Sequence, residues 1–305
     1  MSPDLVLLGN LLVDDLVFQD GRTRMGQPGG AILYSSLAAS LWGARVGACS
    51  VAGEDYPAEA LEVLASRGVD LTGLRRLGRP GLHTWLLYEG RLRRVIHQLS
   101  GPSHEEVSPS PDDLPSGWAS ARAFHLAPMP MATQRALLER FEEASPTAFV
   151  SIDPYVPVTE ASFEAWRETL AHCDAFFPSE DELLLEDAAT DPRVSLPRLA
   201  AGRLRFVAFK RGIQGGLLYD AHEKRFHEWQ PRTDVSIDPT GAGDSFAMGF
   251  VTAHLEGLPV AECLERAVVT ASFAIEAWGA EALWSASRVD AEARSRRWNT
   301  AEATR

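Results

Sequence analysis

Four consecutive residues, Gly241, Ala242, Gly243 and Asp244 in DPTGAGDSF (238–246), are of types that could do chemistry together. After them Phe246, Ala247, Phe250 and Val251 recur at helical spacing and Gly257 offers a stop, so the glycines sit at a helix N-terminus. The first N–H groups of a helix lack intrahelical partners and lie at the positive end of its dipole, so an anion there accepts several hydrogen bonds at once. Glycine also leaves room for a close-approaching phosphate. An aspartate in the first turn is what the dipole favours in any case. Directly behind an anion loop, however, the Asp244 carboxylate can take a proton from a hydroxyl that attacks a bound phosphoryl group. Two familiar phosphate loops do not fit, because G-x-x-x-x-G-K-[ST] is absent and GAGDSF lacks the third glycine of G-x-G-x-x-G.

Other residues could serve the same chemistry. Of 29 basic residues only Lys210 and Lys224 are lysine, so a reaction that needs a lysine has two candidates. Ser179 and Glu182, in FPSEDE (177–182), suit a helix start, with serine as cap and acids in the first turn. Cys49, Cys173 and Cys263 stand far apart without a C-x-x-C pair or a histidine at ligand spacing, and read as buried thiols.

These residues must be positioned by a larger framework. Apolar runs at 5–9, 46–53, 121–128, 148–153, 175–179 and 205–212 alternate with stretches of helical spacing at 31–42, 57–67, 133–144 and 160–171. Short, doubly buried strands alternating with helices predict an α/β fold, a mainly parallel central sheet with helices on both faces. Segments 11–30 and 82–99 break the rhythm and read as strands around turns at Gly21 and at Glu89-Gly90, a small β-sheet lid outside the main core. Residues 288–305 read as a terminal helix with a frayed tail. With 45% apolar residues, the 305-residue chain can bury a core large enough for a single α/β domain carrying the lid.

Composition narrows the partners. A net charge of −13 with no run of Lys or Arg argues against nucleic acid and for a small molecule. The start, MSPDLVLLGN, lacks the pattern of a signal peptide and no segment is apolar enough to span a membrane, so the expected location is cytoplasmic, with no membrane partner.

DPTGAGDSFAMGF resembles the C-terminal signature of the ribokinase-like (PfkB) carbohydrate kinase family, and QPGGAILYSSLAASLWGARVGACSVAGED (27–55) resembles its N-terminal signature. The resemblance extends over nearly the whole chain. It implies a ribokinase-like three-layer fold and an ATP- and magnesium-dependent kinase, with Asp244 as general base and the N–H groups of Gly241, Ala242 and Gly243 as anion hole. It further implies that Asp14, with Asn10, Gly29 and Gly30, binds the acceptor, whereas Asp15 reads as a solvated strand carboxylate. Tyr34 stands where many members carry asparagine.

On the nucleotide side, FPSEDE resembles the family's N-x-x-E segment, with Ser179 near the phosphates and Glu182 near magnesium through water. FKRGIQGG (209–216) resembles its T-x-G-x-x-G loop, with Gly212, Gly215 and, in the threonine position, Lys210, which reads equally as a strand-end surface lysine. Asp238, Thr240 and Gly279 occupy places that surround a monovalent cation, K+, in many members. Asp153 matches a strand-end aspartate, but Tyr155 and Pro157 replace the asparagine and arginine that often follow, which favours a neutral acceptor. The implied acceptors are a sugar, a polyol such as inositol, or a nucleoside whose base Trp85 and Tyr88 would line. Arg91, Arg93 and Arg94 could reach an anionic acceptor but read first as charges protecting a lid edge, and the exposed lid strands make a homodimer plausible. A protein of another class, a sugar or nucleotide sensor with this fold and no turnover, is the competing expectation, and a retained Asp244 argues for the enzyme.

Overall fold

The computed structural model describes residues 2–89, 92–233 and 235–303. From the amino end, β1 (Leu5–Asn10) leads to the hairpin β2 (Leu12–Phe18) and β3 (Thr23–Gly29), followed by α1 (Ala31–Leu41), β4 (Val46–Ala52), α2 (Ala58–Ser66) and β5 (Leu74–Arg76). A second hairpin pairs β6 (His83–Glu89) with β7 (Leu92–His97). The chain continues through β8 (Ala123–Leu126), α3 (Met131–Ala144), β9 (Phe149–Ile152), β10 (Val158–Thr159), α4 (Phe163–Leu170), β11 (Ala175–Phe176) and β12 (Leu183–Leu184). It closes with α5 (Pro192–Leu199), β13 (Phe206–Lys210), β14 (Gly216–Asp220), β15 (Arg225–Trp229), α6 (Ala242–Leu255), α7 (Val260–Ala274), α8 (Glu281–Ser285) and α9 (Arg288–Ala303).

The main sheet has the order β15-β14-β13-β11-β9-β8-β1-β4-β5. It is parallel from β5 to β13 and ends in the antiparallel hairpin β14–β15, so the expected parallel sheet carries an antiparallel edge. Strand β1 explains why helices cover both faces. Successive side chains of a strand point to opposite sides, and all six of its residues are buried. Leu5 and Leu7 join a cluster with α1, α2, α6 and α7, whereas Val6 and Leu8 join one with α3, α4 and α5. Each such leucine contributes about 1.5–3 kcal/mol relative to full exposure, an upper figure because unfolded chains already bury some surface.

The lid is a separate four-stranded sheet in the order β3-β2-β6-β7. Its register places Gln27, Asp14, Thr84 and His97 in one row across the strands. Asp15, expected to be solvated, is buried and accepts a 2.7 Å hydrogen bond from the Gly26 N–H, because the β2–β3 ladder shifts register beside it. The expected turn at Gly90 and residue Arg91 lie outside the described residues, as do the side chain of Arg93 and the last two residues of the terminal segment. Arg94 is exposed and ion-paired with Glu89 at 3.3 Å, in keeping with a charge that blunts a lid edge. The three cysteines are buried and unbridged. Among the described residues no helix is long and apolar enough to cross a membrane.

Candidate active site

The glycine loop sits at a helix start, where the sequence places it. Gly241 caps α6 at φ +75°, a left-handed conformation that L side chains rarely adopt, and a β-carbon there would overlap the ring of Tyr34. Ala242 opens the helix, with its N–H on the Pro239 carbonyl at 3.3 Å. A β-carbon on Gly243 would meet Lys210 Nζ at 3.2 Å, so the loop has an aromatic ring against one glycine and an ammonium beside another. Asp244 is half-buried in the first turn.

Lys210 is no surface lysine. Its side chain is 14% exposed and donates to Asp153 Oδ1 at 3.1 Å. The partners end neighbouring regions of the sheet, because β13 closes at Lys210 and β9 stops one residue before Asp153. Burial raises the Asp153 carboxyl to about 7; the Lys210 ammonium pulls it down, while Asp244 and Glu182 push it up. For Lys210 burial acts downward, but the carboxylates of Asp153, Glu182 and Asp244 outweigh it and hold the ammonium charged above its ordinary range. His125 Nε2 lies 3.7 Å from Asp153 Oδ2, and burial drops that imidazole to about 3, so it stays neutral. One cation thus stands among three carboxylates at the mouth of the anion loop.

Ser179 and Glu182 sit next to this group. The backbone of Ser179 forms an isolated parallel β-bridge with that of Lys210, and its N–H donates to Glu182 Oε2 at 2.7 Å. The expected helix start does not form here; residues 180–182 make a turn into β12, which pairs with β10. Glu182 therefore caps a turn while its charge acts on Lys210 and Asp153. Gly212, at φ +52°, opens a single 3-10 turn after β13, and Gly215, at φ +73°, closes it with its carbonyl on the Arg211 N–H.

The residues expected around a monovalent cation also come together. Asp238 Oδ1 accepts from the N–H of Thr240 at 2.9 Å and from its hydroxyl at 2.5 Å, and Oδ2 accepts from the N–H of Gly279 at 2.9 Å. These contacts account for the three residues without an ion. Thr240 is tied in turn to the lid by Tyr88, whose hydroxyl lies 2.6 Å from Oγ1.

In the lid Asp14 is buried against Gly29, where a β-carbon would overlap its carboxylate. Gly30, at φ +90°, packs so closely on the Asn10 carbonyl that it too admits no side chain. Tyr34 is buried between the two ends. Burial raises its phenol well above the ordinary range, and the carboxylates of Asp14, Asp238 and Asp244 add to this. Asn10 is buried and engaged by side chains, with Nδ2 2.5 Å from His104 Nε2 and Oδ1 3.1 Å from the Ser108 hydroxyl. Trp85 and Tyr88 do not line one pocket. Three positions apart on a strand, they face opposite sides, with Trp85 38% exposed and Tyr88 stacked on Phe18 at 4.8 Å. The rings near Asn10 are instead His97, His104 and Tyr155; of these only Tyr155 stood out in the sequence, because nothing local links the two histidines.

Magnesium keeps several waters and is bound through one or two carboxylates plus substrate phosphates. Glu182 beside Lys210 fits that pattern, and among the described residues no group of three or more His, Cys, Asp or Glu forms an all-protein cage.

A loop of this construction on this sheet, with a four-stranded lid above it, defines a sugar-kinase fold, and the sequence model of the pfkB family carbohydrate kinases matches residues 12–286. The chain belongs to that family and is an ATP-dependent kinase of carbohydrates or nucleosides. It is 30% identical over 279 residues to the cytidine kinase of Thermococcus kodakarensis, covering 90% of this chain and 97% of that one. The fold is shared with the Burkholderia thailandensis nucleoside kinase in complex with inosine, at TM-score 0.75 and 13% identity over 96% of this chain and 97% of that one. It is shared also with an E. coli ribokinase II in complex with ATP and Mg2+, at TM-score 0.71 and 20% identity over 97% and 100%.

Proposed function

We propose that the chain transfers the γ-phosphoryl group of ATP to a hydroxyl of a neutral sugar, polyol or nucleoside. Asp244 takes the hydroxyl proton as the new O–P bond forms and the bond to the ADP leaving oxygen breaks. The amides of Gly241 and Gly243 and the Lys210 ammonium stabilise the charge that spreads over the transferring group. Ala242 holds the turn through Pro239, and Gly212, Gly215 and Ser179 shape the nucleotide side. Glu182 would hold magnesium through water, and the ion would neutralise phosphate charge. Asp14, fixed by Gly29, orients the acceptor, while Gly30 and Tyr34 form its wall.

The observation that carries this reading is the position of Asp244, in the first turn of the anion helix, where its charge reaches both Lys210 and Tyr34. The dipole would favour an aspartate there in any protein, but a protein that only bound ligand would need no base behind the loop. Incubation with Mg-ATP and a panel of sugars, polyols and nucleosides tests it, with Asp244→Asn as comparison. Product from at least one acceptor is expected, and a fall in kcat of about 10²–10⁴ for the variant. No product from any acceptor, or equal turnover by the variant, overturns the assignment. The outward face of the lid exposes Trp85 and Ile96, 38% and 50% accessible, which supports pairing of two chains through it.

A further inference from the structure

Away from the groups that would handle phosphate, three rings gather at the acceptor end. His97 closes β7 in the lid, His104 lies in the loop that leaves it, and Tyr155 follows the end of β9. Centroids of His97 and His104 are 5.3 Å apart, of His104 and Tyr155 4.2 Å, and of His97 and Tyr155 6.3 Å, with all planes within 27° of one another. A column of three rings would set its outer members much farther apart, so the rings are staggered side by side. Of the three, Tyr155 is the most open to solvent, 38% exposed, while both histidines are half-buried.

Each ring is fixed in place. Thr84 Oγ1 lies 3.1 Å from His97 Nδ1, and the Tyr155 hydroxyl lies 3.4 Å from His97 Nε2. Asn10 holds His104, and Ser108 holds both Asn10 and the His104 carbonyl, the latter at 2.7 Å. Burial lowers both imidazoles, His104 to about 4, so the surface is uncharged near neutral pH.

The location gives this surface a purpose. Asp14, Thr84 and His97 are cross-strand neighbours in one row, so they share a face of the lid. Strands lie about 4.8 Å apart, which sets the backbone of His97 about 10 Å from that of Asp14. A furanose with a flat ring attached spans a gap of that order. A free sugar or polyol held at Asp14 has no flat π-face to stack on the rings, whereas every nucleobase has one.

We propose that His97, His104 and Tyr155 form a stacking platform for the nucleobase of a nucleoside acceptor whose sugar hydroxyls reach Asp14. This rests on the kinase reading above and narrows its acceptor to nucleosides. Thr84 and Asn10 are positioning residues, acting through His97 and His104. Base–aromatic stacking is worth enough that losing one ring weakens binding about tenfold or more.

Calorimetric titration of the intact protein with cytidine, inosine, ribose and myo-inositol tests the platform without requiring turnover. At least one nucleoside is expected to bind about tenfold or more tightly than ribose. Tyr155→Ala should cut that nucleoside-to-ribose ratio about tenfold, and Tyr155→Phe should restore it, because the ring and not the hydroxyl does the stacking. Tyr155 is part-exposed, so its variants are expected to fold, which circular dichroism checks. Equal affinity for ribose and both nucleosides, or an equal loss for both classes in Tyr155→Ala, overturns the platform and leaves the rings as an anchor of the lid. Turnover with Mg-ATP separates the two readings. Phosphorylation of ribose or inositol with no nucleoside preference overturns only the platform. Tyr155-dependent nucleoside binding without phosphorylation of any acceptor overturns only the kinase assignment.

Discussion

Lys210 Nζ stands 3.1 Å from Asp153 Oδ1 and would touch a β-carbon on Gly243, so one ammonium joins the carboxyl end of the sheet to the anion loop. A bound phosphoryl group would compete with Asp153 for that charge. Lys210→Met is expected to lower kcat by about 10²-fold or more, the scale of one lost oxyanion donor. It also strands Asp153, and breaking a buried pair costs about 3–5 kcal/mol. Because the Asp153 carboxyl already titrates near 7, the cost should be smaller at pH 5.5, where it is protonated, than at pH 8. Urea unfolding at the two pH values checks this, and Lys210→Met with Asp153→Asn should regain stability without activity.

Gly241 and Gly243 differ in what they would meet. Alanine at 241 enters a left-handed backbone and the ring of Tyr34, whereas alanine at 243 meets only the flexible end of Lys210. Gly241→Ala is expected to destabilise by about 2 kcal/mol or more. Gly243→Ala should fold near normally but lose activity by displacing the ammonium. Thermal melts paired with steady-state kinetics distinguish the two.

His125 is buried and neutral, its Nδ1 2.9 Å from the Ser151 hydroxyl and its pKa dropped to about 3 by burial. Between the ordinary 6.5 and that value the unfolded chain binds a proton that the folded chain refuses. Its contribution to stability is therefore complete above pH 6.5 and lost as the pH falls, by about 1.4 kcal/mol per unit. Melting from pH 7.5 to 5 should show a smaller decline in His125→Gln than in the parent.

Asp14→Asn should raise the KM of the acceptor about tenfold while leaving the KM of ATP within twofold, because a neutral amide loses the charge-assisted hydrogen bonds to substrate hydroxyls. An equal change in both constants would move Asp14 out of the acceptor site.

Tyr88 reaches from the lid to Thr240 at 2.6 Å, next to the anion loop. Removing the hydroxyl in Tyr88→Phe loosens that tie. Hydrolysis of ATP without acceptor should rise relative to transfer, since lid closure excludes water. A coupled assay of ADP release with and without acceptor reads the ratio.

Much of the framework was legible in the residues themselves. The strand runs that begin at 5, 46, 121, 148, 175 and 205 all appear, the first one residue longer and the others trimmed, as do the helices and both lid hairpins. Where the reading failed, tertiary contacts outweighed local preference. SEDE has good helix-start chemistry, yet Leu183 and Leu184 pair with β10 and the turn never becomes a helix. Asp15 alternates away from Asp14, as the strand period requires, but the hairpin bulge supplies a buried N–H for it instead of water.

The sequence by itself determined the alternation of strands and helices, the glycine loop at the start of α6 and the aspartate behind it, because those depend on backbone periodicity and on unpaired amides within a few residues. The tertiary structure decided which groups meet: Lys210 and Asp153 across 57 positions, Asn10 and His104 across 94, and Tyr34 against Gly241. Such pairings depend on how separate elements pack, and no local period encodes that. A lysine that read equally as a surface residue is thus buried on Asp153 beside Gly243, and two histidines with no motif pack with Tyr155 next to Asn10.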